Sequence, residues 1–136
     1  MKDEHTGRTS KEPPRPGITA VDAATGKVLW TTPATDACAG RPFCDSGISA
    51  AVTAIPGVVF AGHMDGRFRA YDGATGAVLK EFDTTQEVRT TSGATAHGGS
   101  FGGPGAAARD GYVIVNSGYG IYFHMPGNVL LAYRAQ

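Results

Sequence analysis

The string "ITAVDAATGKVLW" at residues 18–30 returns fifty positions later as "FRAYDGATGAVLK" at residues 68–80, and seven of the thirteen positions are identical. In each copy an Asp closes a strand and Thr and Gly follow at the same spacing: Asp22, Thr25 and Gly26, then Asp72, Thr75 and Gly76. An Asp carboxylate at a strand end accepts backbone N–H groups two or three residues on, and a Thr hydroxyl satisfies a further group of the loop. Gly supplies the positive φ of a tight reversal. One such turn is ordinary in a β protein. Two in one register, each between apolar strands, argue for stacked copies of one unit. Turn closure accounts for both carboxylates. Neither has a second carboxylate in its motif, as general acid/base or calcium work would need.

Turn signals cut the middle of the chain into short strands. Pro56-Gly57 separates residues 49–55 from 58–63, and Asp65-Gly66 is a two-residue hairpin signal between 58–63 and 67–71. The Asp72 turn then leads into residues 77–82, which completes a four-stranded antiparallel meander. No window carries helical periodicity between caps. The fold is expected to be all-β.

A third, partial copy follows. "AARDGYVIVN" at 107–116 aligns with "TAIPGVVFAG" at 53–62, with Asp110 in the hairpin turn, and "LLAYR" at 130–134 aligns with the end of "RFRAYD". Between them "GYGIYFHMPG" is an insertion in the hairpin. Four-stranded meanders repeating every 40 to 60 residues are the blades of a β-propeller. The chain therefore reads as an outer half-blade (17–33), a full blade (48–83) and an incomplete three-stranded blade (104–135). That is a partial propeller of about two blades.

Twelve basic and twelve acidic residues cancel, which gives no reason to expect a nucleic-acid partner. No apolar run approaches membrane-spanning length. The stretch "MKDEHTGRTSKEPPRPG" has no apolar core, so a signal peptide is not expected in it; residues 1–16 read as a disordered charged tail.

The Ala-x-Asp-x-x-Thr-Gly-x-x-x-Trp string, complete at residues 20–30, resembles the tryptophan-docking repeat of quinoprotein alcohol dehydrogenases. In that family the Trp packs on the neighbouring blade. Trp30 holds this position in the first copy and Lys80 in the second, so one docking contact is expected to be lost or replaced by the Lys stem. The segments "CAGRPFCDSGISAAVTAIPGVVFAGHMDGRFRAYD" and "HMPGNVLLAY" look most like the C-terminal end of polyvinyl-alcohol dehydrogenases. The resemblance implies pyrroloquinoline quinone (PQQ) and Ca2+ on the axis of the whole ring, alcohol oxidation by hydride delivery to the quinone, and a periplasmic or extracellular setting. A ring needs more blades than this chain holds, so catalysis is not expected of it alone.

Cys38 and Cys44 enclose five residues. A local disulfide suits the exported architecture, and two free thiols suit a reducing cytosol; both readings stand. Zinc is not expected, with two sulfurs and no His at finger spacing. His63, His97 and His124 fall on three loops or strand ends of what would be one propeller face, and surface hydrogen bonding explains such residues more often than a metal does. The polar stretch "TSGATAHGGSFGGPGAAA" at 91–108 leads into an inner strand, and its glycines would let backbone approach a flat ligand. His97, Ser100 and Asn116 are accordingly the candidates for cofactor or substrate contact, with Arg41 and Asp45 behind them. A ligand-free glycine loop is the competing reading.

Three functional readings compete. The chain is the C-terminal piece of a PQQ-dependent alcohol dehydrogenase, inactive alone; or a non-catalytic propeller module that binds a protein; or one subunit of a ring built from several copies. Its partners would be the remaining blades or further copies of itself, and in the first reading an alcohol substrate.

Overall fold

The computed structural model describes residues 13–135; the tail expected at residues 1–16 falls largely outside them. Among the described residues there are thirteen strands and no helix. The chain is an all-β partial propeller. Strands β1 (Gly17–Val21) and β2 (Val28–Pro33) form a first, two-stranded antiparallel sheet. Strands β4 (Thr53–Ile55), β5 (Val58–Gly62), β6 (Arg67–Asp72) and β7 (Val78–Asp83) form the second in the order β4-β5-β6-β7. A third sheet has the order β11 (Ala107–Arg109), β12 (Tyr112–Ser117), β13 (Val129–Arg134).

The two repeated turns are built alike. Asp22 Oδ1 accepts the N–H groups of Ala24 and Thr25 and the Thr25 hydroxyl, at 3.1, 2.7 and 2.6 Å. Asp72 Oδ1 accepts from Ala74, Thr75 and the Thr75 hydroxyl at 2.9, 2.8 and 2.9 Å. Gly26 and Gly76 sit at φ 71° and 75°. Hydrogen bonds from the Thr residues hold both carboxyls below the usual Asp range; the largest effect is the Thr25 hydroxyl at Asp22 and the Thr75 N–H at Asp72.

The hairpins follow their dipeptides with one correction. Pro56-Gly57, with Gly57 at φ 82°, has the positive second position of a type II turn. Asp110 and Gly111 are both at positive φ, the I′ geometry that suits a two-residue hairpin. Asp65-Gly66 is not such a turn. Only Gly66 has positive φ, and its N–H donates to His63 O at 3.1 Å, so the loop runs one residue longer. Asp65 gains a different job: fully buried, it accepts from the Arg67 N–H and from Arg69 Nη2, both within 2.9 Å. Arg69 in turn reaches Glu81.

The inner segment expected as one strand over 49–55 is two. β3 (Ser49–Ala50) pairs in parallel with β10 (Gly102–Gly103), and β4 then turns to β5. The change of partner is fixed by Ala51 N–H on Gly103 O at 3.0 Å and by the Thr53 hydroxyl on Ala106 O at 2.6 Å. These bonds tie the inner ends of successive sheets together. The 91–108 stretch is likewise not one loop. It contains half of a hairpin, β8 (Glu87–Arg89) with β9 (Thr95–His97).

Two cores lie between the sheets. The first sheet meets the second through Ile18, Ala61 and Tyr71, with Trp30, Ile48 and Val59 around them. Trp30 Nε1–H donates to Gly73 O at 3.0 Å, Thr32 donates to Gly76 O at 2.6 Å, and a side chain at Gly76 would overlap the indole. The second sheet meets the third through Phe68, Phe101, Ala106 and Val115, with Phe82 and Tyr133 packed against them. Here Phe82 stands at the position of Thr32 and packs against Tyr133, ring centres 4.2 Å apart and planes tilted by 30°. Lys80 is exposed, its ammonium 5.9 Å from the centre of the Phe82 ring.

Candidate functional site

The strand connections at residues 34–48, 63–66, 84–106 and 118–128 gather at the end of the sheets opposite the Asp turns. Backbone bonds knit them: Met64 N–H to Gly47 O, Thr84 N–H to Gly66 O, Phe101 N–H to His63 O and Ser100 N–H to Met125 O, all between 2.9 and 3.1 Å. Glycine permits the closest of these approaches. A side chain at Gly98 would strike Ser117, and one at Gly118 would strike Gly127. The space a flat ligand would need beside Gly98 and Gly99 is therefore filled by the chain itself.

The sequence candidates divide accordingly. Ser100 is fully buried; its hydroxyl donates to Met64 O at 2.5 Å and accepts the Met125 N–H at 2.9 Å, so it fastens the 118–128 loop to the 63–66 turn. His97 is exposed, with Nδ1 2.9 Å from Gly98 O. Asn116 alternates with the buried Val115 and Ser117 and so lies on the face of the third sheet turned away from the second. Arg41 holds the carbonyls of Cys38 and Ala37 at 3.2 and 3.1 Å and approaches the Thr85 hydroxyl. Asp45 accepts the Gly47 N–H at 2.7 Å. Cys38 and Cys44 are joined, with Cα atoms 5.5 Å apart, and their loop carries Arg41 and Phe43.

His63 is enclosed. Its Nδ1 faces Ser46 O at 3.0 Å, an acceptor only, so Nδ1 carries the proton and Nε2 accepts from the Tyr71 hydroxyl at 2.8 Å. Burial pushes the His63 pKa down and the Tyr71 pKa up. The pair is a neutral bridge between loop and sheet. His124 turns Nδ1 to Tyr122 O, and its Nε2 is buried against Gly102 with no partner. Among the described residues no group of three or more His, Cys, Asp or Glu side chains is placed to hold a metal ion.

Around this polar floor stands an uncharged rim. Phe43, Tyr119, Ile121, Tyr122 and Phe123 are all more than half exposed, and Phe43 and Phe123 face each other with centres 6.5 Å apart. Phe43, Tyr122 and Phe123 each adopt positive φ, a conformation that bulky residues rarely take. Sequence reading found the insertion that carries this rim but not the rim itself, although four large apolar side chains within residues 119–123 were the available signal.

The stacked antiparallel sheets, joined through a tryptophan on the next sheet's Asp-x-x-Thr-Gly turn, define a segment of a quinoprotein-type β-propeller. The family model described as "Outer membrane protein assembly factor BamB" (PQQ_2) matches residues 13–101, and the chain belongs to this family. Two curated relatives are each named polyvinylalcohol dehydrogenase. The protein of Sphingopyxis sp. (strain 113P3) is 42% identical over 114 residues, covering 81% of this chain and 17% of the relative. That of Pseudomonas sp. is 41% identical over 130 residues, covering 88% and 20%. The chain thus spans a fifth or less of the length of these relatives. No helix among the described residues is long and apolar enough to cross a membrane.

Proposed function

We propose that this chain supplies about two blades of a quinone-dependent dehydrogenase that oxidises the hydroxyl groups of polyvinyl alcohol, and that it is not catalytic by itself. The observation that carries this reading is the 42% identity with a polyvinylalcohol dehydrogenase across the repeats. The contact of Trp30 with Gly73 and Gly76 is read as the docking contact between adjacent blades of such a ring. The exposed faces at the two ends, Val21 and Leu29 on the first sheet and Ile114 and Leu130 on the third, are those that further blades would cover. The Cys38–Cys44 bond is in keeping with an exported protein.

The residues present do not make a full site for PQQ and Ca2+. They offer no cluster of metal-binding side chains among the described residues, and Ser100 and Arg41 are already committed to backbone carbonyls. When bound in a complete ring, the quinone would accept the hydride of the alcohol. What this chain contributes is the loop end: a glycine-packed floor with His97 exposed beside it, and an aromatic rim that excludes charge. The candidates His97, Asn116, Arg41 and Asp45 remain proposals for contact with cofactor or substrate in that ring.

The test is a graft. Residues 17–136 replace the matching segment of the Sphingopyxis enzyme, and PQQ-dependent oxidation of polyvinyl alcohol is assayed beside protease resistance. A folded chimera that oxidises the polymer supports the reading. A folded chimera without activity overturns it.

A further inference from the structure

We propose that the cleft between the second and third sheets is a binding site for a flat aromatic group of indole size that carries a ring N–H. The grounds lie within the chain. The equivalent cleft between the first and second sheets is filled, and what fills it is an indole.

The two clefts correspond residue by residue. Ala20 pairs with Trp30 ahead of a bulge at Val21, and Ala70 pairs with Lys80 ahead of a bulge at Tyr71. Gly73 N–H donates to Gly57 O at 2.9 Å, and Ala135 N–H donates to Gly111 O at 2.8 Å. The walls Ile18, Val59 and Tyr71 around Trp30 recur as Phe68, Val113 and Tyr133. The indole and the Thr32 hydroxyl do not recur: Lys80 and Phe82 stand at their positions. Lys80 lies over the Phe82 ring, and the two residues line a cavity of about 470 Å³ that remains between the walls, bounded at its outer end by Gly111 and Ala135.

That volume is within the range of small-molecule sites, and the lining decides the chemistry. Phe68, Phe82 and Tyr133 present ring faces and edges, which favours a flat aromatic over an alkyl chain. Lys80, Arg109, Asp110 and Arg134 also line the cleft, but the surface turned into it is almost wholly apolar, so an ionised group at its centre would be desolvated. By the repeat, the Ala135 carbonyl stands where the Gly73 carbonyl receives the Trp30 N–H, so a ring donor has an acceptor at the cleft's edge. The site lies at the outer, Asp-turn end of the sheets, away from the rim, and does not depend on the enzymatic reading.

The test is titration of the 136-residue chain with indole by calorimetry, together with ¹H–¹⁵N spectra. The expected result is saturable one-to-one binding that moves the amides of Gly111, Tyr133 and Ala135. In Lys80→Trp the chain's own indole fills the cleft, and affinity falls by at least about tenfold. Indene, which has the same shape without the N–H, binds more weakly. Absence of saturable binding, or amide shifts confined to the 119–123 rim, overturns the site. So does unchanged affinity in a folded Lys80→Trp variant; should that variant not fold, the amide map of the parent decides alone. Indene binding as tightly as indole overturns the N–H acceptor.

Discussion

The two sheet-to-sheet interfaces are built on one plan and completed differently. At the first, a half-buried indole is pinned by its own N–H and seated on Gly76, while Thr32 adds a second bond across the seam. At the second, Phe82 replaces Thr32 and packs against Tyr133, Lys80 lies over the Phe82 ring, and the cavity these residues line stays open. Burial pushes the Tyr133 pKa up to about 12, as expected of a phenol held among rings. The first interface thus takes its specificity from directed hydrogen bonds and the second from aromatic area. A repeat can lose its signature residue and keep its place when a neighbour supplies the missing surface.

Trp30→Ala should be the most damaging change, because it removes both the indole and its hydrogen bond. A loss of about 3 kcal/mol is expected from urea midpoints. Gly76→Ala comes next, at about 2 kcal/mol, since it adds overlap with Trp30 to a left-handed backbone. Its partner, Gly26→Ala, has the same φ and open space, and should cost about 1 kcal/mol. Equal losses at the two glycines would mean that the Trp30 contact constrains nothing. Lys80→Trp should move the second interface toward the first and raise stability by about 1 kcal/mol, read as a higher thermal midpoint.

The smallest effect is one of pH. The native His63 pKa lies below the ordinary histidine value of about 6.5, so below that pH the unfolded chain binds the extra proton and the native one does not. Stability is therefore complete above pH 6.5 and falls as the pH drops toward the native value. Asp65, Arg69 and Glu81 are the charged groups that act on this imidazole, with Asp65 and Glu81 opposing the downward shift and Arg69 adding to it. Urea midpoints between pH 5 and 7 should slope in the parent, and the slope should flatten in His63→Gln.

What was legible in the sequence was local. The Asp-x-x-Thr-Gly turns close on themselves within five residues, so their chemistry can be read without the rest of the chain. The change from Trp30 to Lys80 announced an altered contact, and the cleft is found there. What escaped reading depends on distant partners. The buried Asp65–Arg69 pair, which Glu81 joins from the surface, shows in the sequence only as the Asp65-Gly66 turn signal, because it takes the packed sheet to enclose the two side chains. The inner strand broke in two because Gly103 and Ala106, some fifty residues on, accept the Ala51 N–H and the Thr53 hydroxyl. Asn116 lies on the opposite face of β12 from Val115 and Ser117, a placement that the strand's period of two makes visible in the string itself.

The glycine neck of the 118–128 loop has a consequence for how such a chain diversifies. Gly118 and Gly127 lie against each other at the loop's base, and Ser100 clamps the strand between them at Met125. Substitution at the neck has nowhere to go. The tip at 119–123 demands less: apart from Gly120, which lies against His124, its side chains are mostly in solvent. Mutational variation should therefore be steeply graded over a few residues, forbidden at the base and tolerated at the crown. A lineage carrying this loop can rewrite the surface it shows to the outside while the underlying frame stays constant.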